Sequence, residues 1–173
     1  MTTRILLLSD THLRTGASLP TSVLELADVA DHVIHAGDLV ELDVLDTLEA
    51  LAPVTAVHGN VCSGAVAARL PERATVTVAG VHVGVVHDPG AAQGRSERLR
   101  QWFPSCGVVV YGHTHAPVVD RSIPGLVIVN PGSPTQRRRA PAHTVAWMEI
   151  DADGTVEVEL VELPNAVGGG TPT

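Results

Sequence analysis

The sequence predicts an α/β fold, a single-domain four-layer αββα sandwich of two mixed β-sheets flanked by helices, and three observations carry that reading. Short apolar runs at Ile5 to Leu8, His32 to Ala36 and Pro53 to Val57 are continuous, as in strands buried on both faces. Between them, Ser22 to Ala30 and Leu42 to Leu51 place apolar residues at helical spacing, so strand and helix alternate as in a parallel sheet. From Ala74 onward closely spaced strands around tight turns imply antiparallel pairing, hence mixed sheets stacked with helices outside.

The strand Ile5 to Leu8 ends at Ser9-Asp10, His32 to Ala36 ends at Gly37-Asp38, and Pro53 to Val57 ends at His58-Gly59-Asn60. The helix from Leu42 is led by acidic residues, which suit the positive end of a helix dipole. Val61 to Glu72 reads as a loop. Thr75 to Val78 and Val81 to Val86 flank Ala79-Gly80 as a hairpin. Arg95 to Phe103 reads as a helix, and Val108 to Tyr111 as a buried strand ending at Gly112-His113-Thr114-His115. Val118 to Arg121, Leu126 to Val129, Thr144 to Ile150 and Val156 to Val161 read as strands, with Asp151 to Gly154 a hairpin loop. Residues 1–163 make the expected domain. Residues 164–173 hold three consecutive glycines and little to bury, and are expected to be a disordered tail.

Composition narrows the function. A chain of 173 residues with 45% hydrophobic residues can bury about 70% of its unfolded surface as one domain. Aromatics are only 2%, so the core is aliphatic. The net charge is −8 and every cation is Arg, which opposes binding to long nucleic acid. Cys62 and Cys106 form no zinc or disulfide pattern. The first apolar run is too short for a signal peptide, and no stretch reaches the roughly 20 apolar residues of a membrane span. The expectation is a cytoplasmic protein without a membrane partner, its oligomeric state open to a homo-oligomer.

Asp10, His12, Asp38, Asn60, His87, His113 and His115 each follow an apolar strand, where catalytic residues of α/β sheets gather. Oxygen and imidazole donors suit manganese, iron, zinc or nickel, and two such ions can clamp a phosphate between attacking and leaving oxygens. Glycine precedes the ligand in three of these loops, where a residue without a side chain lets the backbone come close to a metal.

In this order, Asp10-x-His12, Gly37-Asp38, Gly59-Asn60, His87 and Gly112-His113-x-His115 resemble the calcineurin-like metallophosphoesterases, over about Arg4 to Ile150. Gly112 to His115 and Asn130-Pro131-Gly132-Ser133 most resemble the small bacterial and archaeal phosphodiesterase branch. The resemblance implies two divalent ions, manganese foremost. Asp10, His12 and His115 hold the first, Asn60, His87 and His113 hold the second, and Asp38 bridges them. Asp38, Asn60 and His113 are the implied catalytic residues. Two dications, two carboxylates and a bridging hydroxide leave about +1, which welcomes a small phosphodiester or phosphomonoester for in-line attack.

The chain departs from the family at Val61, where many relatives carry a substrate-contacting His, so esters with good leaving groups are the expected substrates. His58 is a candidate replacement. Asp88 stands where the family usually has Gly, and Asp tolerates left-handed backbone better than most residues. Arg137-Arg138-Arg139 is a candidate phosphate contact, Arg137 with His58 and Asn60 making up the candidate substrate-binding set. His32, His35, His82 and His143 read as structural. The competing readings are an interaction scaffold, the role of a retromer subunit with this fold, and a nuclease for short oligonucleotides.

Overall fold

In a computed structural model of the protein, which describes residues 1–164, two five-stranded sheets pack face to face. The first is built from β1 (Thr3–Leu8), β2 (His32–His35), β3 (Val54–Ala56), β9 (Thr144–Ile150) and β10 (Val156–Glu162), in the order β10-β9-β1-β2-β3. The second joins β4 (Arg73–Val78), β5 (Val81–Val86), β6 (Val108–Tyr111), β7 (Val118–Asp120) and β8 (Val127–Asn130), in the order β4-β5-β6-β8-β7. Both are mixed: β1 and β3 flank β2 in parallel and β9 joins β1 antiparallel, while β5 and β8 flank β6 in parallel between antiparallel outer strands.

Strand alternation divides the core into layers. On β1, Ile5 and Leu7 join Val83, Val85, Val108, Val110 and Met148 between the sheets. Leu6 and Leu8 point the other way, onto Val23 and Ala27 of α1 (Thr21–Asp28), Val44, Leu45 and Leu48 of α2 (Leu42–Glu49) and Val66 of α3 (Gly64–Arg69). Beneath the second sheet, Val109, Tyr111 and Ile128 pack on Leu99 of α4 (Arg95–Trp102) and on Phe103. The four layers expected from the sequence are therefore present.

Two details differ from the sequence reading. Val61 to Glu72 is not all loop, because α3 lies inside it, started by the Ser63 hydroxyl accepting the Val66 N–H. At six residues it is too short to show a helical period. A 3-10 turn at Gly16–Ser18 was likewise invisible. The hairpin turn behaves as read, Ala79 and Gly80 both having positive φ, as a two-residue turn of primed type requires. Among the described residues no helix is long and apolar enough to cross a membrane. The expected tail lies, from residue 165 on, outside the described residues.

Candidate metal centre

Parallel strands deliver their carboxyl ends to one edge of the sandwich, which gathers the loops after β1, β2, β3, β5 and β6. Backbone bonds stitch these loops together: the Asp10 N–H donates to the Gly37 carbonyl at 2.9 Å and the His12 N–H to the Asp38 carbonyl at 2.8 Å. Asp10, His12, Asp38, His113 and His115 all sit at φ between 49° and 70°, the left-handed region that L residues avoid. Strain repeated at five candidate ligands is the kind that surrounding structure must hold in place, and it clusters at functional sites. The glycines allow the close approach: a Cβ on Gly37 would fall 2.7 Å from the His87 ring, on Gly59 2.0 Å from Asp38 Oδ1, and on Gly112 1.9 Å from Ser9 Oγ.

Two clusters of donor atoms result. In one, His12 Nε2 lies 3.0 Å from His115 Nε2, with Asp10 Oδ1 3.7 Å from the first and 3.2 Å from the second. In the other, Asn60 Oδ1 lies 3.1 Å from both His87 Nε2 and His113 Nδ1. Asp38 Oδ2 stands 3.7 Å from His12 Nε2 and 3.2 Å from His87 Nε2, within reach of both clusters. Asp10, His12 and His115, and again Asp10, Asp38 and His87, are grouped closely enough to hold a cation.

The protonation pattern tests that fit. His87 Nδ1–H donates to the Ala36 carbonyl at 2.8 Å, and His115 Nδ1–H donates to the Gln136 carbonyl. Each bond leaves the Nε2 lone pair aimed into the centre. Imidazole lone pairs, carboxylate oxygens and an amide oxygen thus converge on each other, an arrangement that only protons or a metal cation can satisfy. Oxygen and imidazole donors suit divalent ions of the manganese to zinc series.

Electrostatics show that the centre favours positive charge. Burial works against the Asp10 carboxylate, but the neighbouring His115 and His12 imidazoles and the Ser9 hydroxyl together outweigh it and hold its pKa well below the usual carboxylate range. Burial likewise opposes ionised Asp38, which His87 and the Val61 N–H keep below the usual range. His87 is pushed down by burial and lifted more by Asp38, ending above its ordinary value.

A buried polar layer that the sequence did not disclose sets the ligand loops. The Ser133 hydroxyl donates to the Asp10 carbonyl at 2.7 Å and the Thr135 hydroxyl to the Thr11 carbonyl at 2.6 Å. Asn130 Nδ2 donates to the Gly112 carbonyl at 3.2 Å and to Thr114 Oγ1 at 2.9 Å. His35, fully buried, accepts the Gly37 N–H at Nδ1, which leaves Nε2–H to donate to Thr11 Oγ1 at 3.2 Å. Burial lowers its pKa from 6.5 to about 4, so it is a neutral strut between the first two loops. Asn130 and Ser133 stood out in the sequence only as part of a family segment, and His35 only as an isolated histidine.

The remaining candidates separate. His58 lines a cavity of about 220 Å³ with Asn60, Glu72, His87 and Asp88. Val61 is exposed. Asp88 is exposed too and keeps an ordinary φ, its carboxylate accepting the Gly90 N–H rather than orienting His87. Arg137 donates to the Ala140 carbonyl at 2.8 Å, whereas Arg138 and Arg139 wall a cavity beside His115. Of the other histidines, His32 contacts Thr55, His82 contacts Thr77, and His143 lines a separate cavity with Leu19 and Leu163.

Comparison with known proteins settles the family. The calcineurin-like phosphoesterase superfamily domain matches residues 3–153. The chain belongs to that superfamily. A probable metallophosphoesterase of Methanothermobacter thermautotrophicus is 35% identical over 157 residues, covering 89% of each chain. The solution structure of a Thermotoga maritima protein superposes with a TM-score of 0.72 at 35% identity, over 93% of this chain and 99% of that one. Vps29 of Entamoeba histolytica, solved in complex with zinc, superposes with a TM-score of 0.69 over 92% of this chain and 98% of that one. At 20% identity that likeness shows the fold alone.

Proposed function

We propose that this calcineurin-like domain, residues 1–163, hydrolyses a small phosphodiester in the cytoplasm with two divalent cations, manganese before iron, zinc or nickel. The observation that carries the reading is Asp38 Oδ2, within 3.7 Å of a donor in each cluster. Asp10, His12 and His115 would hold one cation and Asn60, His87 and His113 the other, with Asp38 shared. Bound there, the pair would polarise a phosphoryl oxygen and lower the pKa of water toward 7, supplying hydroxide at neutral pH.

The chain's own residues do the rest. Asp10 and Asp38 stay ionised far below neutrality and so neutralise only part of a divalent pair, leaving a site that favours a singly charged diester. Asn60 is exposed and His113 half-buried, so substrate reaches the centre from their side. Val61 offers no proton to a leaving group, which favours esters whose alcohol leaves unaided. Two free cysteines agree with a reducing compartment.

A scaffold role finds support only in the Vps29 fold, while all seven candidate ligands are present here and converge. A nuclease role meets the −8 charge. The test is metal analysis together with hydrolysis of bis(p-nitrophenyl) phosphate. Two equivalents of metal per chain and manganese-dependent turnover are expected. Folded protein that takes up no metal and stays silent after reconstitution would transfer the case to the scaffold, and steady degradation of single-stranded DNA would transfer it to the nuclease.

A further inference from the structure

We propose that the cavity walled by Arg138 and Arg139 receives the larger ester arm of the substrate, and that this arm carries a second anionic group such as a phosphate. The inference rests on the diesterase reading and gives it a substrate class. Two cavities flank the centre. Beside Asn60 and His87 lies the one of about 220 Å³, whose lining includes Glu72 and Asp88. Beside His115 lies one of about 580 Å³, lined by Thr114, Ala116, Pro117, Arg138, Arg139 and Pro141 among others.

A diester bound at the centre extends its two alcohol arms away from one phosphorus, so the cavities take different arms. Size assigns the larger arm to the second cavity, which is within the range that holds a drug-sized group. Charge assigns the anion: two carboxylates repel it from the small cavity, and two guanidinium groups with no acid among the lining residues attract it to the large one. Acidic residues outnumber basic ones 19 to 11 in this chain, so an acid-free cavity with two arginines runs against its composition. Like most arginines among the described residues, Arg138 and Arg139 have no carboxylate partner to neutralise them. The loop is also tied to the centre, since Arg138 Nη1 donates to the His113 carbonyl at 3.4 Å and the Gln136 carbonyl receives His115 Nδ1–H. The apolar remainder, Ala116, Pro117, Ala140 and Pro141, suits the face of a planar ring.

Two chromogenic diesters isolate the distant phosphate: the p-nitrophenyl ester of thymidine 5′-phosphate, and the same ester phosphorylated at the 3′ oxygen. The protein should prefer the second by about tenfold or more in kcat/KM, chiefly through KM. The double variant Arg138→Ala/Arg139→Ala should bring the ratio close to one, while Arg121→Ala, at an exposed arginine outside the cavity, keeps it. Calorimetric binding of thymidine 3′,5′-bisphosphate against thymidine 5′-monophosphate reads the same preference without turnover. Equal kcat/KM for the two esters, with bis(p-nitrophenyl) phosphate still hydrolysed, would overturn the subsite alone. Arginine-dependent binding of the bisphosphate by a protein that hydrolyses neither ester would overturn the diesterase reading and keep the subsite.

Discussion

The two donor clusters are built from the same chemistry but set in different surroundings. Asp10 and His115 are at most 1% exposed. Their loops are held by Ser9, Ser133 and Thr135 and by the His115 bond to Gln136. In the other cluster Asn60 is exposed, His113 is half-buried, and only His87 is both buried and anchored to a backbone carbonyl. The difference is one of burial: Asp10 and His115 are buried and held by hydrogen bonds, whereas Asn60 and His113 are open to solvent. Asp38 belongs to neither half alone.

Breaking the shared residue has the largest expected effect. Asp38→Asn removes one charge within reach of both clusters, and with it the Lewis-acid contribution of several kcal/mol that a metal pair held there would supply. Turnover of bis(p-nitrophenyl) phosphate should fall on the order of a thousandfold, with both metal equivalents weakened. A variant that keeps near-native turnover would show that the clusters work independently.

Chelation sharpens the comparison at a smaller scale. In a time course with EDTA, the equivalent on the open side should leave first, its affinity lower by roughly 10- to 100-fold because the Asn60 and His113 side chains lack the backbone-carbonyl bond that fixes His115. Asn60→Ala should lack the fast-leaving equivalent and Asp10→Asn the slow one. Two equivalents departing at one rate in the native protein would erase the distinction.

Much of this difference could not be read from the sequence, though the seven candidates could, and the family resemblance implied how they divide. Strand ends announce Asp10, Asp38, Asn60, His87 and the His113-Thr114-His115 pair, because a buried parallel strand must release its polar residues at the sheet edge. Which cluster is anchored depends on Ser133, Thr135 and Asn130, contributed from β8 and the loop after it. A serine more than a hundred positions from Asp10 carries no local signal of the bond it makes. The layers were legible because apolar period and continuity record burial directly, whereas α3, a single capped turn and a half, leaves too short a record. Arg137 drew attention as the first of a charged run, but the loop turns at Arg138, with φ at 49°, so that Arg138 and Arg139 face the cavity instead.

A last effect, on stability rather than turnover, concerns the strut beneath both clusters in metal-stripped protein. Burial depresses His35 from 6.5 to about 4, so between those pH values the unfolded chain binds a proton that the folded one refuses. Stability from His35 is therefore complete above pH 6.5 and lost as pH falls toward 4, by roughly 3 kcal/mol at 1.4 kcal/mol per tenfold change in proton affinity. His87 acts with the opposite sign: its raised pKa gives stability that is present below 6.5 and lost as pH climbs through the folded value. The depressed carboxylates Asp10 and Asp38 lose theirs only when pH falls below about 4, toward their folded pKa values. The stripped protein should then show a thermal midpoint highest near pH 6.5, with an acid limb that His35→Gln flattens. A midpoint unchanged from pH 6.5 to 4.5 would mean that His35 takes up its proton without cost, and that the Gly37 and Thr11 bonds do not fix it as the neutral tautomer.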